Sequence, residues 1–422
     1  MRENMEILDR RWPALAAWLA QAPEAELLLL EGVPAPTLCV NGVQLAGAFA
    51  PRAEAELQCR LVPQDARSAT VYGLGQGALP RALLRRSRLE RLRLVLLSRA
   101  AARAALTYVE LYDWLADERL DVLVATPELE LETPFSASPA ELLLADPEAW
   151  RLRDLVQLEL ATPYLRRRLE DQDGFSVENR LRNEGLRRSD RDVSVLDGAH
   201  KGCTVRVAAS GPSLAEHFDA LRAGGVPLVA VDSALAPLLA AGVVPDVVVT
   251  MDGNERSMLA VFDVPRERVR DVTLVYHPTS PHAVLAAWPG RRLAARPPGP
   301  RFEGFTRTVL WSSGSVLHAA VDLAARTRAA RIELMGADFA TPEGCTHVEG
   351  TAWRKSVEPH PARPRVLDGH GRPVLSLRNL VGYLHDLERY VAAHREIEFV
   401  NASRTGARIA GTRYHEELPH AA

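Results

Sequence analysis

The sequence predicts an α/β protein: a Rossmann-like central domain on a parallel sheet, preceded by a smaller N-terminal α/β domain. Three observations carry this. From Thr204 onward, apolar runs of strand length alternate with segments of helical period, as parallel βαβ units require. The runs Val205 to Ala209, Leu228 to Val231 and Val247 to Met251 end in small or acidic polar residues: Ser210-Gly211-Pro212-Ser213, Asp232-Ser233 and Asp252. A shorter alternation with a glycine-rich turn occupies Val71 to Ala125.

In chain order, the opening segment MRENMEILDRRWPALAAWLA reads as one amphipathic helix, and Leu27 to Leu30 and Leu38 to Val43 as strands. Val71-Tyr72 closes a strand, Gly73-Leu74-Gly75-Gln76-Gly77 turns into a helix, and Leu92 to Leu97 and Asp121 to Ala125 are further strands. A nucleotide site on such a unit needs an acid after the second strand to hold ribose hydroxyls. Ser98-Arg99 stands there instead, so a ligand-free, structural Rossmann-like unit is expected. Pro147 to Asn183 reads as an Arg-rich, solvated helical connector, and Asp190 to Lys201 as a linker. The expected division is residues 1–170, a helical linker over 171–200, and the main domain over 201–422.

In the main domain, Gly211 permits a tight turn, Pro212 fixes φ, and Ser213 with Glu216 has the spacing of a capping box. A helix N-terminus directly after a strand offers free N–H groups to an anion, usually phosphate. The same residues also suit a capped helix with no ligand. Val272 to Tyr276 is a strand ending at His277-Pro278-Thr279-Ser280. Ser312-Ser313-Gly314-Ser315 opens a second helix, Ala330 to Leu334 is a strand, and Gly336-Ala337-Asp338 ends it before a polar loop carrying Thr346-His347. A helix over Leu375 to His394 and a strand over Ile397 to Val400 complete the pattern. Ligands of open parallel sheets bind outside the carboxyl ends of the strands, which places a site among these polar residues.

Composition narrows the classes. Of the 422 residues, 47% are hydrophobic and 25% charged, as in an ordinary globular protein. A formal charge of −3 gives no electrostatic reason to expect nucleic acid or an anionic membrane. Cys39, Cys59, Cys203 and Cys345 show no C-x-x-C spacing, so neither a zinc knuckle nor a disulfide framework is indicated, and scattered thiols suit a reducing compartment. The N-terminus lacks a signal-peptide apolar core, and no window has the apolar length to span a bilayer. A cytoplasmic protein is expected. Without clustered His and carboxylates at the strand ends, no metal is called for.

The segments SGPSL, AVDSALAPLLAAGVVPDVVVTMD, GSVLHAAVDLA, MGADFA, THVEG and VNASRTGARIAGT occur in an order and spacing similar to the motility-associated factor (Maf) proteins. That family of flagellin glycosyltransferases shares a domain with hydroxymethylpterin diphosphokinases. The resemblance is dense from Asn179 to Gly411 and looser before it. It departs at Cys345, where the family commonly has Lys, and at Gly253, where Pro is frequent. Many members also continue into a helical C-terminal domain, whereas this sequence ends shortly after Gly411.

The resemblance implies a sialyltransferase-like central domain. It further implies transfer of a nonulosonic acid, pseudaminic or legionaminic in type, from a CMP-sugar to Ser or Thr of flagellin. The donor is itself a substrate, so no cofactor is implied. The N–H groups of Ser210, Gly211 and Ser213, around Pro212, would then hold the nucleotide phosphate. Asp232, Ser233 and Asp252 would contact ribose or cytosine, and Ser313, Gly314 and Ser315 the sugar carboxylate or phosphate. Asn179 and Asn183, four apart on one helical face, would reach the cleft. His347 is the candidate base for the acceptor hydroxyl, with a pKa range suited to reversible proton transfer. Asp338 would orient it or contact the donor. Read from the residues alone, His347 is a surface-loop histidine, Asp338 an Asx-type turn residue and the two asparagines helix-surface amides. The alternatives are an ATP-dependent pterin diphosphokinase-like enzyme with magnesium on Asp232, Asp252 and Asp338, and a non-catalytic flagellin-binding module. An N-terminal methyltransferase is opposed by Ser98.

Overall fold

Runs of Val, Leu and Ala with little polar alternation belong to strands covered on both faces, and such strands form the centre of the eight-stranded sheet. The computed structural model describes residues 2–32, 36–171, 173–298, 307–360 and 363–417. The chain divides into two units, Met1–Thr162 and Pro163–Ala422.

In the first unit, β1 (Leu27–Leu30), β2 (Thr37–Val40) and β3 (Val43–Gln44) form an antiparallel meander. The strands β4 (Ser68–Tyr72), β5 (Arg91–Leu96), β6 (Leu120–Val124) and β7 (Phe135–Ala137) form a parallel sheet in the order β6-β5-β4-β7. The chain thus winds two strands to one side of β4 and returns to the other, the order of a mononucleotide-binding half. Val71, Leu92 and Leu94 fill its core. The opening segment is two helices, Arg2–Arg11 and Pro13–Ala20, not one. Pro13 cannot donate inside a helix but suits the first position of a new one.

The second unit contains β8 (Arg191–Asp192), β9 (Thr204–Ala208), β10 (Leu228–Val231), β11 (Val247–Thr250), β12 (Thr273–Tyr276), β13 (Arg292–Ala294), β14 (Arg331–Met335), a hairpin of β15 (Arg365–Leu367) and β16 (Pro373–Leu375), and β17 (Glu398–Asn401). Eight of these form one parallel sheet in the order β17-β14-β9-β10-β11-β12-β13-β8. Val205, Val207, Ala230, Val248 and Leu274 are fully buried in it, and the helix Val316–Arg326 packs across β9, β10 and β11. Part of the expected linker is therefore structural. Arg191 and Asp192 pair with β13, and Asp190 accepts from Arg292 Nε (2.9 Å) and the Tyr276 hydroxyl (3.1 Å). From β9 the chain builds β10 to β13 on one side and β14 and β17 on the other, so the winding reverses between β9 and β14.

Candidate functional site

A cleft of about 660 Å³ opens over the carboxyl ends of β9, β10, β11 and β14, where a doubly wound sheet binds its ligand. Ser210 and Gly211 reach it from β9, Asp232 and Ser233 from β10, Met251 and Asp252 from β11, and Asp338 from β14. Gly314, Ser315, Thr346 and His347 complete the expected part of its lining. Pro212, Ser213, Ser313, Asn179 and Asn183 do not line it.

The turn after β9 differs from the expected capping box. Pro212–His217 is a short 3₁₀ helix whose N-cap, Gly211, makes no side-chain cap bond. Ser213 instead donates its N–H to Asp338 Oδ2 (2.8 Å) and its hydroxyl to Asp338 Oδ1, while Glu216 accepts from Thr405 (2.9 Å). The Gly211 N–H goes to the Gly336 carbonyl (2.9 Å), and Pro212 has none. Most of the N–H groups expected to cradle a phosphate are thus satisfied within the protein. Gly211 is required for close approach rather than for its φ of −64°: a Cβ there would lie 2.4 Å from both Asp338 Oδ2 and the Gly336 carbonyl.

Two of the three cleft carboxylates, Asp232 and Asp338, are buried and accept hydrogen bonds within the protein, whereas Asp252 is half-buried. Burial pushes Asp338 up to about 6 against the opposing bonds from Ser213. Asp232 accepts from Thr250 Oγ1 (2.8 Å) and the Ser233 N–H (2.7 Å), and burial pushes it up to about 7. The Ser233 hydroxyl lies 2.8 Å from that of Ser210, linking the ends of β10 and β9. No arginine or lysine is among the described residues lining the cleft. Among the described residues, no group of three or more His, Cys, Asp or Glu side chains is placed to hold a metal ion.

The Ser312–Ser315 turn is built from below. The Ser313 N–H donates to His318 Nδ1 (3.2 Å), which leaves His318 Nε2–H to donate to the Tyr383 carbonyl (3.0 Å). Burial lowers His318 to about 4, so this neutral tautomer persists at ordinary pH. The Ser313 hydroxyl donates to Asp386 (2.5 Å) instead of facing the cleft. Gly314 has φ +85°, and a Cβ on it would lie 2.8 Å from the Tyr383 ring.

His347 Nδ1 lies 2.9 Å from the Thr346 hydroxyl, and its ring sits edge-on to Trp353 at 6.3 Å. Burial lowers its pKa, a bond to the Trp353 backbone raises it, and the charge of Lys355 lowers it. The described side-chain hydrogen bonds of Asp338 run from Ser213 to its two carboxylate oxygens, and none joins it to His347. Asn179 and Asn183 bind main-chain carbonyls, at Gly253 and Thr279 and at Pro278 and Ser280, respectively. Sequence reasoning missed Trp353, Asn379 and Tyr383, which also line the cleft. Trp353, a bulky aromatic in a polar loop shortly after His347, carried a usable signal. Asn379 and Tyr383 lie on the helix Arg378–Ala393 and look like ordinary helical positions.

The glycine turn of the first unit is closed by its own carboxylate. Glu141 is fully buried and accepts from the N–H groups of Gly75 (2.8 Å) and Leu97 (3.4 Å). Burial pushes it up to about 7, against bonds from the N–H groups of Gly75, Leu97, Leu74 and Ser98.

Residues 181–344 match the family model described as MptE-like, 6-hydroxymethylpterin diphosphokinase MptE-like. The match falls on the domain that the sequence resemblance implied is shared with those proteins. Comparison with the curated proteins gives no match. Among solved structures, a Maf glycosyltransferase from Magnetospirillum magneticum AMB-1 is similar at 17% identity, with 99% of this chain and 74% of that chain covered and a TM-score of 0.46. Spermidine synthase from Thermotoga maritima is similar at 14% identity over 29% of this chain and 49% of that one, TM-score 0.25. A spermidine synthase complexed with the transition-state analogue AdoDATO gives 13% identity, 31% and 50% coverage, and a TM-score of 0.26. Among the described residues, no helix is long and apolar enough to cross a membrane.

Proposed function

We propose that this chain is a glycosyltransferase of the Maf type. It moves a nonulosonic acid, pseudaminic or legionaminic in type, from its CMP-sugar to Ser or Thr hydroxyls of flagellin in the cytoplasm. One observation carries the reading. The cleft lies where the strand order reverses, and it gathers the ends of SGPSL, AVDSA, VTMD, GSVLH, MGADFA and THVEG at one place.

In this reading the acceptor hydroxyl attacks the anomeric carbon, His347 takes its proton, and the bond to the phosphate oxygen breaks with its electron pair leaving on CMP. The hydroxyls of Ser315 and of Ser210, which accepts from Ser233, supply donors for that growing charge. Burial keeps Asp232 and Asp338 partly protonated near neutral pH, which reduces the repulsion an anionic donor meets. Asp252 and Ser233 sit at strand ends suited to ribose, and the N-terminal unit serves as a ligand-free scaffold.

The family-model match favours a second reading, an ATP-dependent pterin diphosphokinase-like enzyme. That chemistry needs carboxylates gathered for magnesium, and among the described residues no three His, Cys, Asp or Glu side chains are so gathered.

Calorimetric titration with CMP and with ATP, each in excess EDTA and in excess magnesium, separates them. The proposal expects CMP binding that survives chelation, and a mass increase of flagellin on incubation with a CMP-nonulosonic acid. ATP binding that appears only with magnesium, without CMP binding, would establish the second reading instead.

A further inference from the structure

The cleft wall formed by the end of β11 is held from outside the cleft by one helix. Asn179, on the helix Asp173–Arg182, and Asn183 directly after it both have buried side chains. Spaced by four residues, they face the same side. Asn179 Nδ2 donates to the carbonyls of Gly253 (3.0 Å) and Thr279 (2.9 Å). Asn183 Nδ2 donates to those of Pro278 (3.0 Å) and Ser280 (2.7 Å). A primary amide has two N–H groups, so each asparagine commits both. His282 Nδ1 lies 3.0 Å from Asn183 Oδ1, an acceptor only, so the imidazole donates and fixes which way the amide faces.

The four carbonyls belong to the segments following β11 and β12. One of them, Gly253, directly follows Asp252, which lines the cleft beside Met251. The far side of the segment is also fixed: the Asn254 N–H donates to Asp252 (2.8 Å), and Asn254 caps the helix Glu255–Val261 through the Ser257 N–H (2.9 Å). The fit at Gly253 is close, since a Cβ there would lie 3.1 Å from the Thr279 carbonyl.

We propose that Asn179 and Asn183 are positioning residues: a two-amide clamp that sets the place of Asp252 in the cleft without touching the ligand. Docking of their helix and occupation of the cleft then support one another, because each needs the same arrangement of the β11 and β12 ends. The part concerning the ligand rests on the CMP-sugar reading above; the clamp itself does not.

The test uses the full chain with CMP as the probe. Asn183→Asp replaces two donors by charged oxygens facing carbonyls; Asn179→Ala removes the other two. Hydrogen exchange without ligand is expected to quicken about thirtyfold at Gly253 to Ser257 and at Thr279 to His282, the loss appropriate to two net hydrogen bonds. CMP affinity falls about tenfold, while global chemical unfolding loses no more free energy than the local opening at these two segments does. In transfer assays KM rises and kcat is kept at saturating donor. Lost affinity with unchanged local exchange would mean direct ligand contact and overturn the proposal, as would a uniform loss of protection across the second unit. If Asn183→Asp does not fold, Asn179→Ala and Gly253→Ala, which disturbs the same contact from the loop side, decide the matter. Should the parent not bind CMP, the functional reading falls, and exchange alone still decides the clamp.

Discussion

The two units handle the same device differently. In each, a strand runs into a glycine-bearing turn, and a buried carboxylate receives N–H groups of that turn. In the first unit Glu141 takes the Gly75 N–H, and the space against Gly75 is only about 20 Å³, while a larger cavity of about 540 Å³ touches the turn at Gln76 and not at Gly75 or Glu141. In the second, Asp338 takes the Ser213 N–H, yet the same carboxylate borders a cleft of about 660 Å³. The glycine turn therefore does not mark a ligand. It marks a close approach of backbone, which one unit uses to seal a strand end and the other to support an open one.

The largest expected effect belongs to the open unit alone. His347→Ala should lower transfer by roughly 10²–10⁴-fold, the range for a positioned acid–base group, with CMP affinity nearly unchanged. Because burial lowers its pKa, the wild-type rate should climb with pH below the ordinary imidazole value and level off above it. Stability and activity falling together, with an unchanged pH profile, would reduce His347 to a packing residue.

Next comes Gly211→Ala, whose Cβ would lie 2.4 Å from two oxygens fixed in the structure. It should destabilise the second unit by up to about 3 kcal/mol, the upper range for overpacking, and abolish CMP binding. Denaturant midpoints measure the first and calorimetry the second. A variant as stable as the parent would mean that the turn and Asp338 can move apart.

The comparison is sharpest at the two carboxylates. Glu141→Ala and Asp338→Ala each leave buried N–H groups without acceptors, at a cost of about 1–3 kcal/mol. Only Asp338→Ala should also weaken CMP binding. If Glu141→Ala weakens it as much, or if the first unit binds a nucleotide or S-adenosylmethionine of its own, the distinction between sealed and open turns fails.

The smallest effect is one of slope. Glu141 is raised from 4.5 to about 7, so between those values the folded state holds more protons than the unfolded one. Its contribution to stability is therefore greatest at low pH and is lost as pH rises through that window. Buried His277 and His318, lowered to about 3 and about 4, act in the opposite direction, so the test is a difference. Relative to the parent, Glu141→Gln should lose its own share of the downward trend of the denaturant midpoint from pH 4.5 to 7, while Asp232 and Asp338, raised by burial in the same direction, keep theirs. Parallel curves for the two proteins would show that Glu141 does not titrate in that window.

Most strands and their polar ends are legible in the sequence. Val205 to Ala209, Leu228 to Val231 and Val247 to Met251 announce strands buried on both faces, and parallel winding brings their carboxyl ends together. Position in the sheet therefore places Asp232, Asp252 and Asp338 around one crevice. The break at Pro13 is also written in the sequence, but the amphipathic period on either side of it conceals it.

What the sequence determined by itself was local: strand runs, helical periods, the reversals between them, and hence the sheet whose strand ends make the cleft. The tertiary structure alone decided which polar groups satisfy one another. Glu141 meets Gly75 across 66 residues, Asp338 meets Ser213 across 125, and Asn179 reaches Gly253 and Thr279 across 74 and 100. Period and propensity are properties of neighbouring residues. A buried donor must find an acceptor wherever the packed chain brings one, and no local pattern encodes that choice. For that reason Ser213 has the look of a cap and Asn179 that of a ligand contact, whereas the fold supplies Asp338 for the one and two carbonyls for the other.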